Sequence, residues 1–348
     1  LMVSDCIKSI AIFRLSALGD VTLMIPLVRT LQKSFPQAKI VWITSEQVYG
    51  LLEGLSGVEF IVIKKPKSIV DYYQCYQQFK AYQFDVLLAA QASLRANLLY
   101  PLISAKTKIG FDKKRSKDCH HWFIDQSIES KEVHLLDGFL QFAEMLGITK
   151  SSIEWDLPLS NTDRDWAKSV LSKKSGKWIV INPSASKQER NWPIERLIET
   201  INRAAEKWSI NIVLTGGNSA KEIAEANIIE SAVQVVCLNL VAKTTFKQLA
   251  ALLEKADLLI SPDTGPAHIA TAVGTPVIGL YAVVSAKLSG PYLSKSLIID
   301  KYEEAVQTIL HKNNQNVSLH TRVHHEDAMK LITVDDVLEK LRKVLESE

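Results

Sequence analysis

The chain has 348 residues, 47% of them hydrophobic and 23% charged, with 41 basic against 38 acidic side chains and a formal net charge of +3. That composition excludes a disordered chain, and the near balance of charge excludes a protein held mainly by nucleic-acid phosphates. The length predicts two domains, each large enough to bury its own core.

In chain order, Ser9 to Leu15 reads as a first strand, and the Arg14 within it, together with the lack of a small-residue cleavage site, argues against a signal peptide. A Ser-Ala-Leu-Gly-Asp turn follows, then a helical pattern through Val21, Met24, Leu27, Val28 and Leu31, then a strand at Ile40 to Thr44: a βαβ unit. Pro26 inside that helix should remove one hydrogen bond and bend the axis. Val58 to Ile63 and Asp85 to Ala89 are further strands around a helical stretch at Val70 to Tyr82. A polar segment, Ser160 to Gly176, with a short helix inside it, marks the expected domain boundary.

The pattern then restarts. Strands are expected at Lys177 to Asn182, Ile210 to Leu214, Val233 to Leu238, Leu258 to Ser261 and Pro276 to Tyr281. Helices are expected at Trp192 to Trp208, Ala220 to Ser231 and Thr245 to Lys255, and another starting near Pro266. The last element is an amphipathic helix at Thr333 to Leu345, opened by a capping box of Thr333 and Asp336. Such alternation predicts α/β architecture with two parallel sheets facing a central cleft, ligands binding at the carboxyl ends of the strands. No nucleic acid is expected as a partner.

The cysteines Cys6, Cys75, Cys119 and Cys237 are scattered without a CxxC, which points to a reduced compartment and hence to the cytoplasm. The longest apolar stretch, Ala267 to Val284, contains His268, Gly274, Pro276 and Gly279 and does not read as a spanning helix. Basic runs at Lys64, Lys65 and Lys67 and at Lys113, Lys114, Arg115 and Lys117 are either solvated loops or faces toward an acidic substrate or an anionic membrane surface.

Residues with chemical potential cluster just after strands. Asp20, following Ser16 and Gly19, either caps the first helix or acts as a general base. The segment from Ser261 through Asp263, Thr264, Gly265, Pro266, Ala267 and His268 joins a strand to a helix, where free N–H groups and the helix dipole make an anion site. In the loop Asn182 to Pro193, Ser184, Ser186, Lys187 and Arg190 suit a diphosphate, or the loop is simply an ordinary surface loop anchored by Trp192. Gly216 and Gly217 with Glu222 form a weak nucleotide signal, a glycine turn followed by a carboxylate that can bind ribose hydroxyls. Metal signals are poor: Asp163 and Asp165 fit a helix start better than a cation site, and His320, His324 and His325 include an i, i+4 pair only if helical.

These motifs, in this order, resemble glycosyltransferase family nine, the ADP-heptose:lipopolysaccharide heptosyltransferases. The resemblance covers almost the whole chain. It is carried by FRLSALGDV, by AAQASLRANLLY followed by KIGFD, by EVHLLDGFLQFAEMLGI, by SPDTGPAHIATAVGTPVIGLY and by HEDAMKLITVDDVLEKL. It implies a GT-B fold of two Rossmann-like domains, the acceptor bound mainly by 1–165, the nucleotide sugar mainly by 175–320, and a C-terminal helical segment at 321–348. It also implies an inverting, metal-independent transfer with no cofactor.

By the same resemblance Asp20 is the catalytic carboxylate, and Asp263 with the 264–268 turn receives the donor sugar and its diphosphate. Ser184 and Ser186 lie in the phosphate-contacting loop, Arg190 stands where a lysine is common, and Glu222 matches a ribose-binding carboxylate. Arg95 takes the place of a basic residue directed at the anionic acceptor, with Ser16, Gly19 and Gln91 on the same side. Two departures stand out: Ala282, Val283 and Val284 replace a common Gly-Pro-Thr, and Ala92 replaces a glycine after Gln91. The implied partners are ADP-heptose or another nucleotide sugar and a lipid A-Kdo inner-core glycolipid, at the inner face of the bacterial inner membrane. Two other classes remain open, a nucleotide-sugar epimerase and a non-catalytic nucleotide-binding protein.

Overall fold

A computed structural model of the chain describes residues 7–131, 133–172, 175–313 and 317–346; Cys6, Glu132, Lys173 and Lys174 lie outside them. The chain divides into two compact units, Leu1–Pro158 and Leu159–Glu348.

The first unit is built on β1 (Ser9–Phe13), β2 (Lys39–Ser45), β3 (Glu59–Ile63), β4 (Phe84–Ala89), β5 (Ala105–Gly110) and β6 (Gln126–Ser127). Its helices are α1 (Leu18–Ser34), α2 (Glu46–Leu52), α3 (Ile69–Phe79), α4 (Leu94–Asn97) and α5 (Leu135–Met145). The second unit opens with α6 (Asn161–Leu171) and carries β7 (Lys177–Ile181), β8 (Ile210–Leu214), β9 (Cys237–Asn239), β10 (Leu258–Pro262), β11 (Val277–Tyr281) and β12 (Ile299–Asp300). Around that sheet lie α7 (Ile194–Ala205), α8 (Ala220–Ala232), α9 (Phe246–Lys255), α10 (Gly265–Ala272), α11 (Ala286–Ser289), α12 (Tyr302–Thr308) and α13 (Val334–Leu345).

Both sheets are parallel and share one topology. The first runs β3-β2-β1-β4-β5-β6 and the second, read from its other edge, β9-β8-β7-β10-β11-β12. In each unit the strand order reverses between the first and fourth strands, β1 and β4 or β7 and β10, so loops leaving those strands diverge and open a crevice at the carboxyl edge. The central strands are apolar on both faces, as helices on both sides require: Ile10, Ala11, Ile12 and Phe13 of β1 are fully buried.

Several elements differ from the sequence expectation. The strand expected at Val233 to Leu238 is only Cys237–Asn239, because α8 continues to Ala232 and the Gln234 N–H is captured by Asn202 Oδ1 at 2.8 Å instead of joining the ladder. Strand β5 carries lysines that mask its pattern; Lys106 pairs with Asp85 at 2.7 Å and Lys108 donates to the Tyr100 carbonyl at 2.7 Å. Strands β6 and β12 are two-residue edge strands, too short to show a strand period. Helix α6, inside the expected boundary segment, is tied to α9 by a two-pronged Arg164–Glu254 pair at 2.9 and 3.0 Å. Helix α13 buries Val337, Leu338 and Leu341 in the second core, its Thr333–Asp336 capping box is formed, and Trp192 Nε1 donates to the Ile332 carbonyl just before it at 3.1 Å.

Pro26 is accommodated in α1 by a side chain from far along the sequence. Proline has no N–H for the carbonyl four residues back. That carbonyl, Thr22 O, receives instead the indole N–H of buried Trp155 at 3.0 Å.

Candidate active site

In the first unit the chain leaves β1 through Arg14, Leu15, Ser16 and Ala17, with a cis Ser16–Ala17 peptide, and enters α1 with Gly19 and Asp20 in its first turn. Asp20 Oδ2 accepts the Ala17 N–H at 3.0 Å and also a hydrogen bond from the Arg14 guanidinium. Asp20 Oδ1 has no partner among the described residues. Capping and chemistry are thus compatible in one carboxylate: one oxygen fixes the turn and the other remains open to a ligand.

Arg14 holds this turn together, and the sequence signals it only weakly, as a charge at the end of an apolar strand. Its Nε donates to the Ser16 carbonyl at 2.7 Å, its Nη1 to the Ala90 carbonyl at 2.6 Å, and its guanidinium lies 5.4 Å from the centre of the Phe139 ring. The fork therefore ties the loop after β1 to the loop after β4, across the point where the strand order reverses. Gln91 spans the same gap, its Oε1 accepting the Leu15 N–H at 2.8 Å while its carbonyl accepts the Tyr100 hydroxyl at 2.5 Å. Burial pushes the Tyr100 hydroxyl far above its ordinary range, so it stays a donor. Ser16, Gly19, Asp20 and Gln91 are thereby brought together, while Arg95 is exposed on α4 and its charge helps to lower the half-buried Lys65 ammonium, after burial itself.

In the second unit the corresponding crevice lies between β7 and β10. After β7, Asn182 donates to the Ser184 carbonyl at 2.9 Å and Asn191 Oδ1 accepts the Ala185 N–H at 2.7 Å, which holds the loop in shape. Arg190 crosses the reversal point and donates to Asp263 Oδ2 at 2.9 Å; the two side chains are only 14% and 15% exposed. Arg190 Nε is buried and has no partner among the described residues. Ser186 and Lys187 lie on the same loop, Lys187 exposed.

After β10, the Ser261 and Thr264 hydroxyls share a hydrogen bond at 2.6 Å, so Thr264 stands at the N-cap of α10 without capping it. Gly265 and Pro266 start the helix, and its first N–H groups are left without a capping side chain. Ala267 and His268 are buried, so Ala267 can offer a ligand only its backbone. Tyr281, on β11, has its hydroxyl raised well above its usual range by burial and then by the nearby Asp263 charge.

The glycine turn after β8 is closed by its own carboxylate. Glu222 accepts the Gly217 N–H through Oε1 at 2.9 Å and the Ser219 hydroxyl through Oε2 at 2.6 Å. A Cβ on Gly217 would meet Glu222 Oε2 at 2.9 Å, a contact the flexible carboxylate could relieve only by shifting; Gly216 precedes it with a less crowded surround. Three residues further along α8, Glu225 accepts the Ser184 hydroxyl at 2.9 Å, a carboxylate contact that nothing in the sequence marks. The Ser184 hydroxyl proton is therefore directed at Glu225.

Of the remaining candidates, Asp163 lies apart, while His324 touches the loop after β7 through Glu189. Asp163 caps α6, accepting the Ser160 N–H at 3.0 Å. His320, His324 and His325 lie outside any helix, and His324 bonds Glu189 at 2.7 Å. Among the described residues no three His, Cys, Asp or Glu side chains come together as a metal-binding set. Arg115 does not join the basic surface: it is turned inward onto Asp112, Gln141 Oε1 at 3.0 Å and the Glu129 carbonyl at 2.5 Å. No helix among the described residues is long and apolar enough to cross a membrane.

Residues 72–320 match the family model of glycosyltransferase family 9 (heptosyltransferase). The chain is 35% identical over 338 residues to the lipopolysaccharide core heptosyltransferase OpsX of Haemophilus influenzae, with 97% of each chain covered. Among solved structures, the family 9 glycosyl transferase of Veillonella parvula is similar at a TM-score of 0.80 and 21% identity, covering 98% of each chain. The E. coli heptosyltransferase WaaC with ADP is similar at 0.73 and 20% identity, covering 97% of this chain and 99% of that one. The same enzyme with ADP-2-deoxy-2-fluoro heptose gives 0.67 at 19% identity, with the same coverage. These structural likenesses bear on the fold, which is GT-B, built from two Rossmann-like units. Family match and sequence identity together give the conclusion: the chain belongs to glycosyltransferase family 9, the heptosyltransferases.

Proposed function

We propose that the protein transfers heptose from ADP-heptose to a Kdo or heptose hydroxyl of the lipopolysaccharide inner core, with inversion at the anomeric carbon and without a metal ion. The observation that carries this reading is Asp20, a carboxylate held through one oxygen at the strand-order reversal of the first unit with its other oxygen unengaged. The Haemophilus relative is named for the lipopolysaccharide core, and the E. coli relative has been solved with an ADP-heptose analogue, which supports the donor and the acceptor class.

In this mechanism the first unit, taken as 1–165, binds the acceptor through Ser16, Gly19, Gln91 and Arg95. Asp20 Oδ1 takes the proton from the acceptor hydroxyl as its oxygen attacks the anomeric carbon. The bond from that carbon to the diphosphate oxygen breaks, and ADP leaves from the opposite face.

The second unit, 175–320 with the 321–348 segment, binds the donor. Negative charge growing on the departing diphosphate is met by the N–H groups at the start of α10, those of Thr264, Gly265, Ala267 and His268, and by Arg190 and Lys187. Arg190 also neutralises Asp263, which otherwise would face the diphosphate as a bare like charge. Asp263 then accepts hydroxyls of the transferred sugar. Gly216 and Gly217 let the nucleoside approach the backbone, and Glu222 or Glu225 accepts from the ribose. Ser184, bonded to Glu225, orders this wall, and Ser186 remains available to phosphate. The cytoplasmic face of the inner membrane is the proposed workplace, with Lys64, Lys65, Lys67, Lys113, Lys114 and Lys117 toward anionic lipid.

The test is a donor screen with purified inner-core acceptor in the presence of chelator. ADP-heptose should yield ADP and an acceptor one heptose heavier, with UDP-, GDP- and dTDP-sugars inert. Transfer from another nucleotide sugar, loss of activity on chelation, or formation of an epimer without acceptor would contradict the reading.

A further inference from the structure

The first unit leaves apolar side chains exposed where its helices begin. Ile69 and Val70, in the first turn of α3, are 88% and 63% exposed, Tyr73 one turn on is 60% exposed, and Tyr76 continues the stripe. Leu94, the first residue of α4, is 58% exposed, and Trp122 is 73% exposed. A surface helix of a globular unit normally places such residues on its buried face.

These positions form one surface. The Tyr72 hydroxyl donates to the Arg95 carbonyl at 3.5 Å, joining α3 to α4. The Leu94 N–H donates to Asp118 at 2.8 Å, and Asn97 donates to the Lys117 and Asp118 carbonyls at 3.0 and 2.8 Å, joining α4 to the loop that leads to Trp122. All of these segments follow the carboxyl ends of β3, β4 and β5 in a parallel sheet, so they share the edge that carries Asp20.

The surface is also cationic. Lys64, Lys67, Arg95, Lys113, Lys114 and Lys117 are exposed on it. Its nearest acids are occupied by backbone N–H groups: Asp71 by Lys67 and Ser68, each at 2.8 Å, and Asp118 by Leu94.

We propose that this edge docks on an anionic lipid bilayer, with Ile69, Val70, Leu94 and Trp122 entering the interfacial region and the lysines contacting lipid headgroups. Apolar side chains ringed by lysines, with tyrosine and tryptophan among them, suit the boundary between headgroups and acyl chains. A second copy of the chain is a poor occupant, since two such faces would bring like charges together. The proposal deepens the reading of a lipid-linked acceptor: docking this edge sets Asp20 beside the bilayer surface from which that acceptor projects.

The test uses the full chain and vesicles of phosphatidylcholine with about 30 mol % phosphatidylglycerol against phosphatidylcholine alone. The wild type should sediment with the anionic vesicles, retain part of that binding in high salt, and show Trp122 emission shifted to shorter wavelength, a change absent in Trp122→Phe. Replacing Ile69, Val70 and Leu94 by serine should lower partitioning by roughly ten-fold or more and abolish the salt-resistant part. These side chains are exposed, so folding should be unaffected, and transfer to a water-soluble acceptor fragment should persist in the triple variant. Absence of binding to anionic vesicles, or binding indifferent to the three serines, overturns the proposal; so does a wild-type dimer that the serines convert to monomer. Failure of transfer by the wild type would instead count against the proposed function and leave the vesicle result standing.

Discussion

Two arginines organise the two crevices in the same way. Arg14 links the loops after β1 and β4 while gripping Asp20, and Arg190 links the loops after β7 and β10 while gripping Asp263. Each makes a carboxylate tolerable at a half-buried position and fixes its direction. Replacing Arg190 by alanine is expected to weaken ADP binding by about 10- to 100-fold, because a charge-assisted contact is lost and Asp263 is left unpaired beside the diphosphate. Calorimetry with ADP measures this, and an unchanged affinity would remove Arg190 from the donor site. The sequence marks Asp20 and Asp263 because each follows a strand in a short polar turn, and Arg190 because it lies in the long polar loop after β7. It marks neither Arg14, which looks like an interruption of a strand, nor Glu225, whose contact with Ser184 joins residues 41 positions apart.

At the scale of elements, the apolar periodicity reveals the central strands and most long helices, since burial on both faces leaves little choice of residue. Elements stabilised by single polar contacts are hidden. The completion of α1 by Trp155 is one case: replacing Trp155 by phenylalanine keeps an aromatic ring but removes the donor to Thr22 O. That change should cost about 1 to 3 kcal/mol, read as a lower urea midpoint with unchanged slope.

His120 is another. It is fully buried, its Nδ1 bonded to Asn97 Oδ1 at 2.7 Å and its Nε2 accepting the Phe111 N–H at 3.2 Å. A proton on Nε2 would meet that N–H head on. Burial pushes the imidazole from 6.5 down to about 4, so between those values the unfolded chain binds a proton that the folded protein does not. This contribution to stability is present above pH 6.5 and is lost as the pH falls toward 4, by up to about 3 kcal/mol. Denaturation of wild type and His120→Asn across that range should show the steeper acid loss in the wild type; parallel pH profiles would contradict it.

At the scale of the molecule, one strand order is used twice, and each use places its candidate turns at the same point of reversal. The α/β class and the repeat of the pattern are legible in the sequence; the six-strand order is not, because lysines interrupt β5 and because β6 and β12 are only two residues long. If the two crevices divide the labour, ADP should slow amide exchange in the 183–191, 216–222 and 263–268 segments and leave the 14–20 turn unchanged. Protection confined to the first unit would reverse the assignment. The base itself is tested most directly by Asp20→Asn, which keeps an oxygen for the Ala17 N–H but cannot take a proton. Heptosyl turnover should fall by about 10²- to 10⁴-fold while the calorimetric affinity for ADP-heptose is retained; normal turnover in that variant would contradict Asp20 as the base.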